Sequence, residues 1–95
     1  MEFEWDPVKS SNCFTQRGFD FLYATQAFFD PACFIREDVR WNYGEDRYQL
    51  FGAIAKRVFV LSFTRRGKVI RLISARKANL REVKIYEEHS FKNQS

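Results

Sequence analysis

Cysteine, proline, glycine and histidine are scarce in this sequence of 95 residues, which contains two, two, four and one of them respectively. Cys13 and Cys33 are too few for a disulfide framework, and with only His89 to assist they are too few for a structural zinc site. Both cysteines lie among aromatic residues, as buried apolar thiols commonly do. We therefore expect reduced thiols and no metal.

Long hydrophobic runs are also missing. No apolar stretch approaches the ~18 residues that cross a bilayer, so no membrane-spanning helix is predicted. The chain opens with the acidic sequence MEFEWD, whereas a secretory signal begins with basic residues followed by an apolar stretch. We therefore expect a cytoplasmic protein with no membrane partner.

Motifs built on glycine or histidine are absent as well. The four glycines are scattered and form no phosphate-binding loop. His89 lies near an end that we expect to be frayed, so neither a Ser-His-Asp nor a Cys-His arrangement is credible. The sequence offers no cofactor-binding motif.

The length and composition indicate one folded domain over residues 1–95, with a flexible tail after about residue 90. Hydrophobic residues make up 45% of the chain and charged residues 29%, which is a globular balance. The chain is too short for two independent hydrophobic cores.

Charge is distributed unevenly along the chain. Residues 1–46 carry four Lys or Arg against nine Asp or Glu, a net charge of −5. Residues 47–95 carry twelve Lys or Arg against three Glu, a net charge of +9. An acidic half joined to a basic half suggests a polyanion-binding surface. The alternative is a solvated basic surface with no ligand, and composition alone does not choose between them.

Local signals predict two short helices near the N-terminus. Residues 2–5 alternate polar and apolar side chains, which is typical of a short strand. Asp6-Pro7 then has the form of a helix start, and this helix should end at Gly18. A second helix should run from Asp20 to Asp30-Pro31, with an apolar face formed by Phe21, Ala24 and Phe28. Together the two helices form an α-hairpin.

An antiparallel sheet is predicted to pack against this hairpin. Its strands are residues 33–37, Arg47–Gly52, Val58–Thr64 and Val69–Arg76, the last two joined by the turn Arg65-Arg66-Gly67-Lys68. Asn79 and Glu82 then form a capping box that opens a C-terminal helix, with Leu80, Val83 and Tyr86 on one side. The predicted fold class is α+β, with helices around an antiparallel sheet.

Pairing Thr64 with Val69 fixes the predicted register of the last hairpin. Its apolar face then carries Phe59, Leu61 and Phe63 opposite Ser74, Leu72 and Ile70. The other face is polar near its middle, where Ser62 lies opposite Arg71. Arg47 falls in the same row, although a register slip of one residue in its strand would place Arg47 on the apolar face instead.

Cationic side chains concentrate in this hairpin and its exit, at Arg65, Arg66, Lys68, Arg71, Arg76 and Lys77. Arg71 interrupts an otherwise apolar strand and must find a partner or a water-filled cleft, because burying an unpaired charge is costly. It can pair with Glu45 or Glu82, or it can hold a phosphate with its planar N–H donors. The two interpretations are compatible if a carboxylate orients the guanidinium.

Three residues outside the hairpin complete the candidates from the residues themselves. Lys9 and Asn12 lie one turn apart on the first helix, where alone they would be ordinary surface residues. Trp41, in a polar loop, can stack on a nucleobase.

Motifs along the whole chain resemble those of the BrnT family of type II toxins. They are Phe3-x-Trp5-Asp6-x-x-Lys9-x-x-Asn12, Gly18-x-x-Phe21-x-x-Ala24, Phe28-x-Asp30-Pro31, Gly44-Glu45-x-Arg47, Thr64 with Arg66, Ile70-Arg71-x-Ile73-Ser74-Ala75-Arg76-Lys77-Ala78, and Glu82 with Tyr86. The resemblance covers residues 3–88. The run IRLISARKA after an F-x-W-D-P opening is its most specific part.

The resemblance implies a RelE-like fold in which RNA is handled at a basic sheet surface. Members of the family are toxins that cut RNA and arrest translation. A cognate BrnA antitoxin, a ribbon-helix-helix protein, neutralises them, and its DNA-binding part lets the complex repress its own operon. We therefore expect RNA, a BrnA-type antitoxin and, through the antitoxin, operator DNA as partners in a hetero-oligomer.

RNA cleavage without a metal requires activation of the 2′-hydroxyl, stabilisation of the phosphorane and protonation of the leaving oxygen. The candidate catalytic residues are Arg66, Arg71 and Arg76 for the phosphate, Lys9 beside them, and Glu45 as the base. The candidate RNA-binding residues are Arg47, Arg65, Lys68, Lys77 and Trp41.

One position departs from the family pattern. The family usually has Lys-His-Gly where this chain has Gln16-Arg17-Gly18, and an arginine stays protonated at neutral pH. Either the family histidine is not essential, or the domain is an inactive module that binds RNA or antitoxin. A DNA-binding accessory protein is a further alternative.

Overall fold

The computed structural model of the protein describes the backbone of residues 1–94 and the side chains of residues 1–90. Its elements are β1 (Glu2–Trp5), α1 (Pro7–Arg17), α2 (Phe21–Ala24), a 3-10 helix (Thr25–Phe29), β2 (Phe34–Glu37), β3 (Tyr48–Ile54), β4 (Arg57–Arg66), β5 (Val69–Lys77) and α3 (Leu80–Gln94). The predicted α+β class and order of elements are confirmed. The flexible tail was predicted after about residue 90, and the side chains of that segment are not among those described.

The five strands form one mixed sheet in the order β1-β5-β4-β3-β2. The pairs β2–β3, β3–β4 and β4–β5 are antiparallel, as predicted. β1 pairs parallel with β5, from Glu2 opposite Val69 to Trp5 opposite Leu72. The prediction of a wholly antiparallel sheet is therefore wrong at this edge. Parallel pairing is possible there because the intervening elements form a long crossover between the two strands.

The helix ends confirm the local sequence signals. The Asp6 carboxylate accepts a hydrogen bond of 2.9 Å from the backbone N–H of Val8, and Gly18 closes α1 with a φ of 84°. The second predicted helix begins after Asp20, whose carboxylate caps it, but it is α-helical only to Ala24. The chain continues to Phe29 as a 3-10 helix, so the prediction of one regular helix there is wrong.

The register of the β4–β5 hairpin differs from the prediction. The turn consists of Gly67 and Lys68 only, and the φ of 62° at Gly67 has the sign that a type II′ turn requires at its first central position. Thr64, rather than Ser62, therefore lies opposite Arg71. A bulge at Ile73 then shifts the later pairs by one more residue.

The bulge changes which side chains reach the core. Ser62 lies opposite Ser74, and Leu61 lies opposite Ala75, which is 1% exposed. Ser74, predicted on the apolar face, points to the opposite face, and Ala75 takes its place. The bulge reverses the side-chain alternation because it inserts one unpaired residue.

Two hydrophobic clusters lie on opposite faces of the sheet. The larger cluster packs α1, α2 and the 3-10 helix against one face, and its fully buried side chains include Leu50, Leu61, Phe63 and Leu72. The smaller cluster packs α3 against part of the other face, at Phe34, Phe51, Val58, Val60 and Ala78. Each face of the sheet therefore has helical cover, but α3 covers its face only in part.

α3 begins at the predicted capping box. The backbone N–H of Glu82 donates to the Asn79 side chain at 2.8 Å, and the Glu82 carboxylate accepts from the backbone N–H of Asn79 at 3.0 Å. Val83 and Tyr86 pack against the sheet as predicted. Leu80 was expected beside them but is 89% exposed, because the first turn of α3 projects beyond the cluster.

Asp30 fastens α3 to the edge of the sheet. Its carboxylate accepts hydrogen bonds from the hydroxyl of Tyr86 and from the backbone N–H groups of Ala53 and Ala32. Burial alone would raise the pKa of Asp30, but these hydrogen bonds lower it. Burial, and then the bond to ionised Asp30, raises the pKa of Tyr86 to about 12. The pair is therefore stable as neutral phenol and carboxylate anion.

Replacing Tyr86 by phenylalanine should change how stability depends on alkaline pH. The folded pKa of Tyr86, about 12, exceeds its ordinary value of 10.0, so its contribution is complete below pH 10 and is lost as the pH rises through 12. The variant should lose about 1–3 kcal/mol at neutral pH and should lack this alkaline decline. Urea unfolding at neutral and alkaline pH measures both effects. Tyr23→Phe is the control, and equal alkaline declines in all three proteins would contradict the prediction.

Candidate functional site

α3 and its hydrophobic cluster cover only part of one face of the sheet. The rest of that face is polar. We call this area the open face and define it by the side chains that share it in the strand register: Glu4, Arg36, Gln49, Ser62, Thr64, Arg66, Arg71 and Ser74. Gln49 and Thr64 are buried, at 6% and 3% exposure, and both are hydrogen bonded. The face therefore has a fixed polar floor from which longer side chains project.

Arg71 and Arg66 are neighbours on the open face. Arg71 lies opposite Thr64, and Arg66 lies two residues further along the same strand as Thr64. Such diagonal positions are about 7–8 Å apart. Arg71 Nη1 lies 3.5 Å from Glu4 Oε2, so its carboxylate partner is Glu4 and not Glu45 or Glu82 as predicted. No carboxylate in the described residues lies within ion-pair distance of Arg66.

Arg47 borders this pair. It lies one residue before β3, and extending the β3–β4 register by that residue places it beside Thr64 rather than beside Ser62. The Thr64 hydroxyl donates to the backbone carbonyl of Asp46 at 2.7 Å, and this hydrogen bond holds the residue before Arg47 beside β4. Arg47 Nε lies 3.4 Å from Glu45 Oε2, and its guanidinium lies 4.0 Å from the centre of the Tyr43 ring. The predicted row therefore becomes Arg47, Thr64 and Arg71.

Arg76 is on the same side of the sheet but is not part of this group. It lies five residues beyond Arg71, about 16 Å along an extended strand. Its two terminal nitrogens bind both carboxylate oxygens of Glu82, at 2.6 and 2.7 Å. This contact raises the pKa of Arg76 and lowers that of Glu82. The guanidinium of Arg76 is thus occupied in holding the start of α3.

The other candidate residues are dispersed. Arg65 lies over the ring of Tyr48, 5.6 Å from its centre, and Lys77 lies opposite Phe59, both on the face that α1 and α2 cover. Lys68 lies in the hairpin turn. Lys9 lines a cleft between α1 and β5 that also contains Ser74. The structure therefore groups Arg66, Arg71, Arg47 and Glu45, and separates the remaining candidates from them.

A buried aspartate that the sequence analysis missed orders the loop beside the open face. Asp38 accepts two hydrogen bonds of 2.9 Å from Arg40 and a further one from the hydroxyl of Tyr43. The bonds from Arg40 lower the pKa of Asp38 to about 2. The loop carries Trp41, which is 72% exposed. The available signal was an aspartate two residues before an arginine, a spacing that permits this side-chain turn.

The described residues contain neither a metal-ligand cluster nor a membrane-spanning helix. No three His, Cys, Asp or Glu side chains among them are grouped as metal ligands. None of their helices has the length and apolar character to span a bilayer.

Comparison with known proteins identifies the family. The family model described as "Ribonuclease toxin, BrnT, of type II toxin-antitoxin system" matches residues 5–82. The chain belongs to the BrnT family. The match includes every candidate site residue, from Lys9 to Lys77. A search of curated proteins found no significant match. As a BrnT protein, the chain is a ribonuclease toxin of a type II toxin-antitoxin system, with RNA as its substrate and an antitoxin as its partner.

Proposed function

We propose that this BrnT protein is a metal-independent endoribonuclease that cleaves RNA on the open face and thereby inhibits translation. A BrnA-type ribbon-helix-helix antitoxin neutralises it and brings the complex to operator DNA. The observation that carries the proposal is the adjacent pair Arg66 and Arg71, which projects from a rigid polar floor. The order of helices and antiparallel strands also supports a RelE-like relationship.

The open face can stabilise the charge that develops during cleavage. Attack of the ribose 2′-oxygen on phosphorus forms one P–O bond and breaks the bond to the 5′-oxygen, leaving a 2′,3′-cyclic phosphate and a 5′-oxygen that takes a proton from solvent water. Charge accumulates on the non-bridging oxygens between these events, and Arg66 and Arg71, at diagonal positions of the open face, supply N–H donors to it. The ion pair of Arg71 with Glu4, at 3.5 Å, is long enough to leave donors available.

Glu45 is the proposed base. Its carboxylate is exposed and lies beside Arg47, whose guanidinium orients it. It accepts the proton of the 2′-hydroxyl while Arg47 contacts the phosphate. Lys9 lies across β5 from this group and binds a flanking phosphate, whereas Arg76 acts by positioning the start of α3 against the sheet.

Purified toxin freed of antitoxin should fragment total RNA in the presence of EDTA. The expected products have 5′-hydroxyl ends and cyclic or open 3′-phosphate ends, which end-specific ligation distinguishes from 3′-hydroxyl products. Addition of the cognate antitoxin should stop the reaction. Intact RNA, with normal binding of antitoxin, would contradict the enzyme and favour a binding module.

The binding-module alternative is motivated by Arg17. An arginine cannot accept a proton at neutral pH. However, Arg17 ends α1 and lines two grooves that contain neither Arg66 nor Arg71. The replacement of histidine there leaves the charged groups of the open face unchanged, which favours the enzyme.

A further inference from the structure

A second concave surface lies on the opposite side of the sheet from the open face. It is a groove of about 690 Å³ between the end of α1, the β3–β4 hairpin and the end of β5. We call it the aromatic groove and define it by six of its lining residues: Phe14, Arg17, Phe19, Tyr23, Arg57 and Lys77. None of these residues belongs to the open face.

The aromatic groove carries uncompensated positive charge. Arg17, Arg57 and Lys77 are exposed, and none of them forms an ion pair with another described residue. The carboxylate that also lines the groove, Asp20, accepts a hydrogen bond of 2.8 Å from the backbone N–H of Tyr23 at the start of α2. The single negative charge of Asp20 does not balance the three cations, so the groove keeps a net positive charge.

Aromatic rings lie between these cations. Phe14 is 59% exposed and Tyr23 is 39% exposed. Tyr23 is held from behind by Phe19 and Phe59, whose ring centres lie 6.3 and 6.1 Å from its own. Such a fixed, half-exposed ring beside unpaired cations matches the combination that binds bases and phosphates of a single strand.

The aromatic groove is continuous with the open face around one edge of β5. β1 ends at Trp5, opposite Leu72, so no strand of the described chain covers β5 from Ile73 onward on that side. A cleft of about 220 Å³ lies there, lined by Lys9, Arg17 and Ser74 among others. Arg17 also lines the aromatic groove, and Ser74 belongs to the open face. The three surfaces therefore adjoin.

We propose that the aromatic groove binds a single-stranded segment of RNA that continues from the open face past Lys9 and Arg17. Bases stack on Tyr23 and Phe14, and Arg17, Arg57 and Lys77 contact phosphates. The inference rests on the proposed function, because the open face must hold the scissile part of the same strand. An acidic peptide of the antitoxin would also match the charge of the groove, but it would not require this continuity with the open face.

RNA binding by groove variants tests the inference. The probes are fluorescently labelled 2′-O-methyl RNAs, which cannot be cleaved, of about 4 and about 12 nucleotides, the range of single-strand site sizes. The Arg17→Gln/Arg57→Gln double variant should weaken binding of the longer RNA by 10-fold or more and leave the shorter RNA unaffected. The slope of log affinity against log salt should fall by about 1.4, or about 0.7 for each lost phosphate contact.

Two more variants separate stacking from general charge effects. Tyr23→Leu keeps an apolar side chain over Phe19 and should weaken binding of the longer RNA by about 10-fold through loss of stacking. Lys84→Gln removes an exposed cation from α3, on the other side of the sheet, and should bind both RNAs as the natural protein does. Circular dichroism checks that each variant is folded.

The outcomes distinguish the groove from the proposed function. Groove variants that bind the longer RNA normally, while the natural protein still cleaves RNA, would overturn the groove and leave the ribonuclease standing. Variants that lose affinity for the antitoxin but not for RNA would assign the groove to the antitoxin and also overturn it. If the natural protein neither binds nor cleaves RNA, the open-face proposal fails as well.

Discussion

Replacing Arg71 by glutamine should lower the rate of RNA cleavage about 100- to 1000-fold, the usual cost of removing one preorganised donor to a developing oxyanion. Glutamine keeps a polar side chain of moderate length but lacks the charge and the fork of donors. The melting temperature should hardly change, because the pair with Glu4 is 3.5 Å long and both side chains are partly exposed. Single-turnover cleavage and thermal unfolding measure the two effects.

Two neighbouring variants show whether the effect belongs to Arg71 itself. Glu4→Gln removes its partner and should leave most of the cleavage activity. Arg76→Gln breaks the double contact with Glu82 at the start of α3 and should lower stability by about 1 kcal/mol. An Arg71→Gln protein that unfolds would show that Arg71 is a structural cation, and one that is folded and cleaves RNA normally would show that the reaction does not use Arg71.

The sequence was sufficient for features whose partners lie two to four residues apart. The Asp6 cap, the Gly18 helix end and the reciprocal bonds of Asn79 and Glu82 all formed as predicted. Each depends on one side chain and a nearby backbone group, so residue type and spacing determine it. The transition from α2 to the 3-10 helix was not predicted, since it accompanies close packing against a distant strand at Gly52.

Arg71 and Arg47 were placed on the same face of the sheet despite an error in register. The hairpin turn is two residues shorter than predicted, and a shift of two residues along a strand keeps every side chain on its face. The face assigned to Arg71 was therefore unaffected, whereas Arg66, predicted in the turn, lies in β4. The bulge at Ile73 shifts the later pairs by one further residue, and a shift of one residue moves side chains to the other face. No residue type in this apolar part of β5 indicates that a bulge occurs there. Ser74 and Ala75 were consequently assigned to the wrong faces.

The partner of Arg71 could not be predicted from local pattern. Glu4 and Arg71 are far apart in sequence and meet only because β1 crosses the molecule to pair parallel with β5. Alternation indicated that residues 2–5 form a strand, but it carries no information about which edge of the sheet they join. Glu45 and Glu82 were nearer in sequence, and the structure pairs them with Arg47 and Arg76 instead.

Replacing Gly52 by alanine should destabilise the protein by about 3 kcal/mol, the upper part of the usual range for overpacking. A Cβ atom at this position would lie 2.4 Å from the carbonyl oxygen of Ala27 and 3.0 Å from its Cβ. The 3-10 helix that carries Ala27 would have to move away from β3, and the adjoining Asp30 would move with it. Urea unfolding measures the loss, and the alkaline decline due to Tyr86 should shrink because Asp30 holds its hydroxyl.

Two controls isolate the contact with the backbone of Ala27. Gly18→Ala meets no atom within 4 Å but has a φ of 84°, so it should cost only about 1 kcal/mol. Ala27→Gly combined with Gly52→Ala removes the side-chain contact and leaves the carbonyl contact. The double variant should therefore recover little of the loss, and a double-mutant cycle gives the coupling. Full recovery would mean that the methyl group of Ala27, and not the path of the 3-10 helix, requires glycine at position 52.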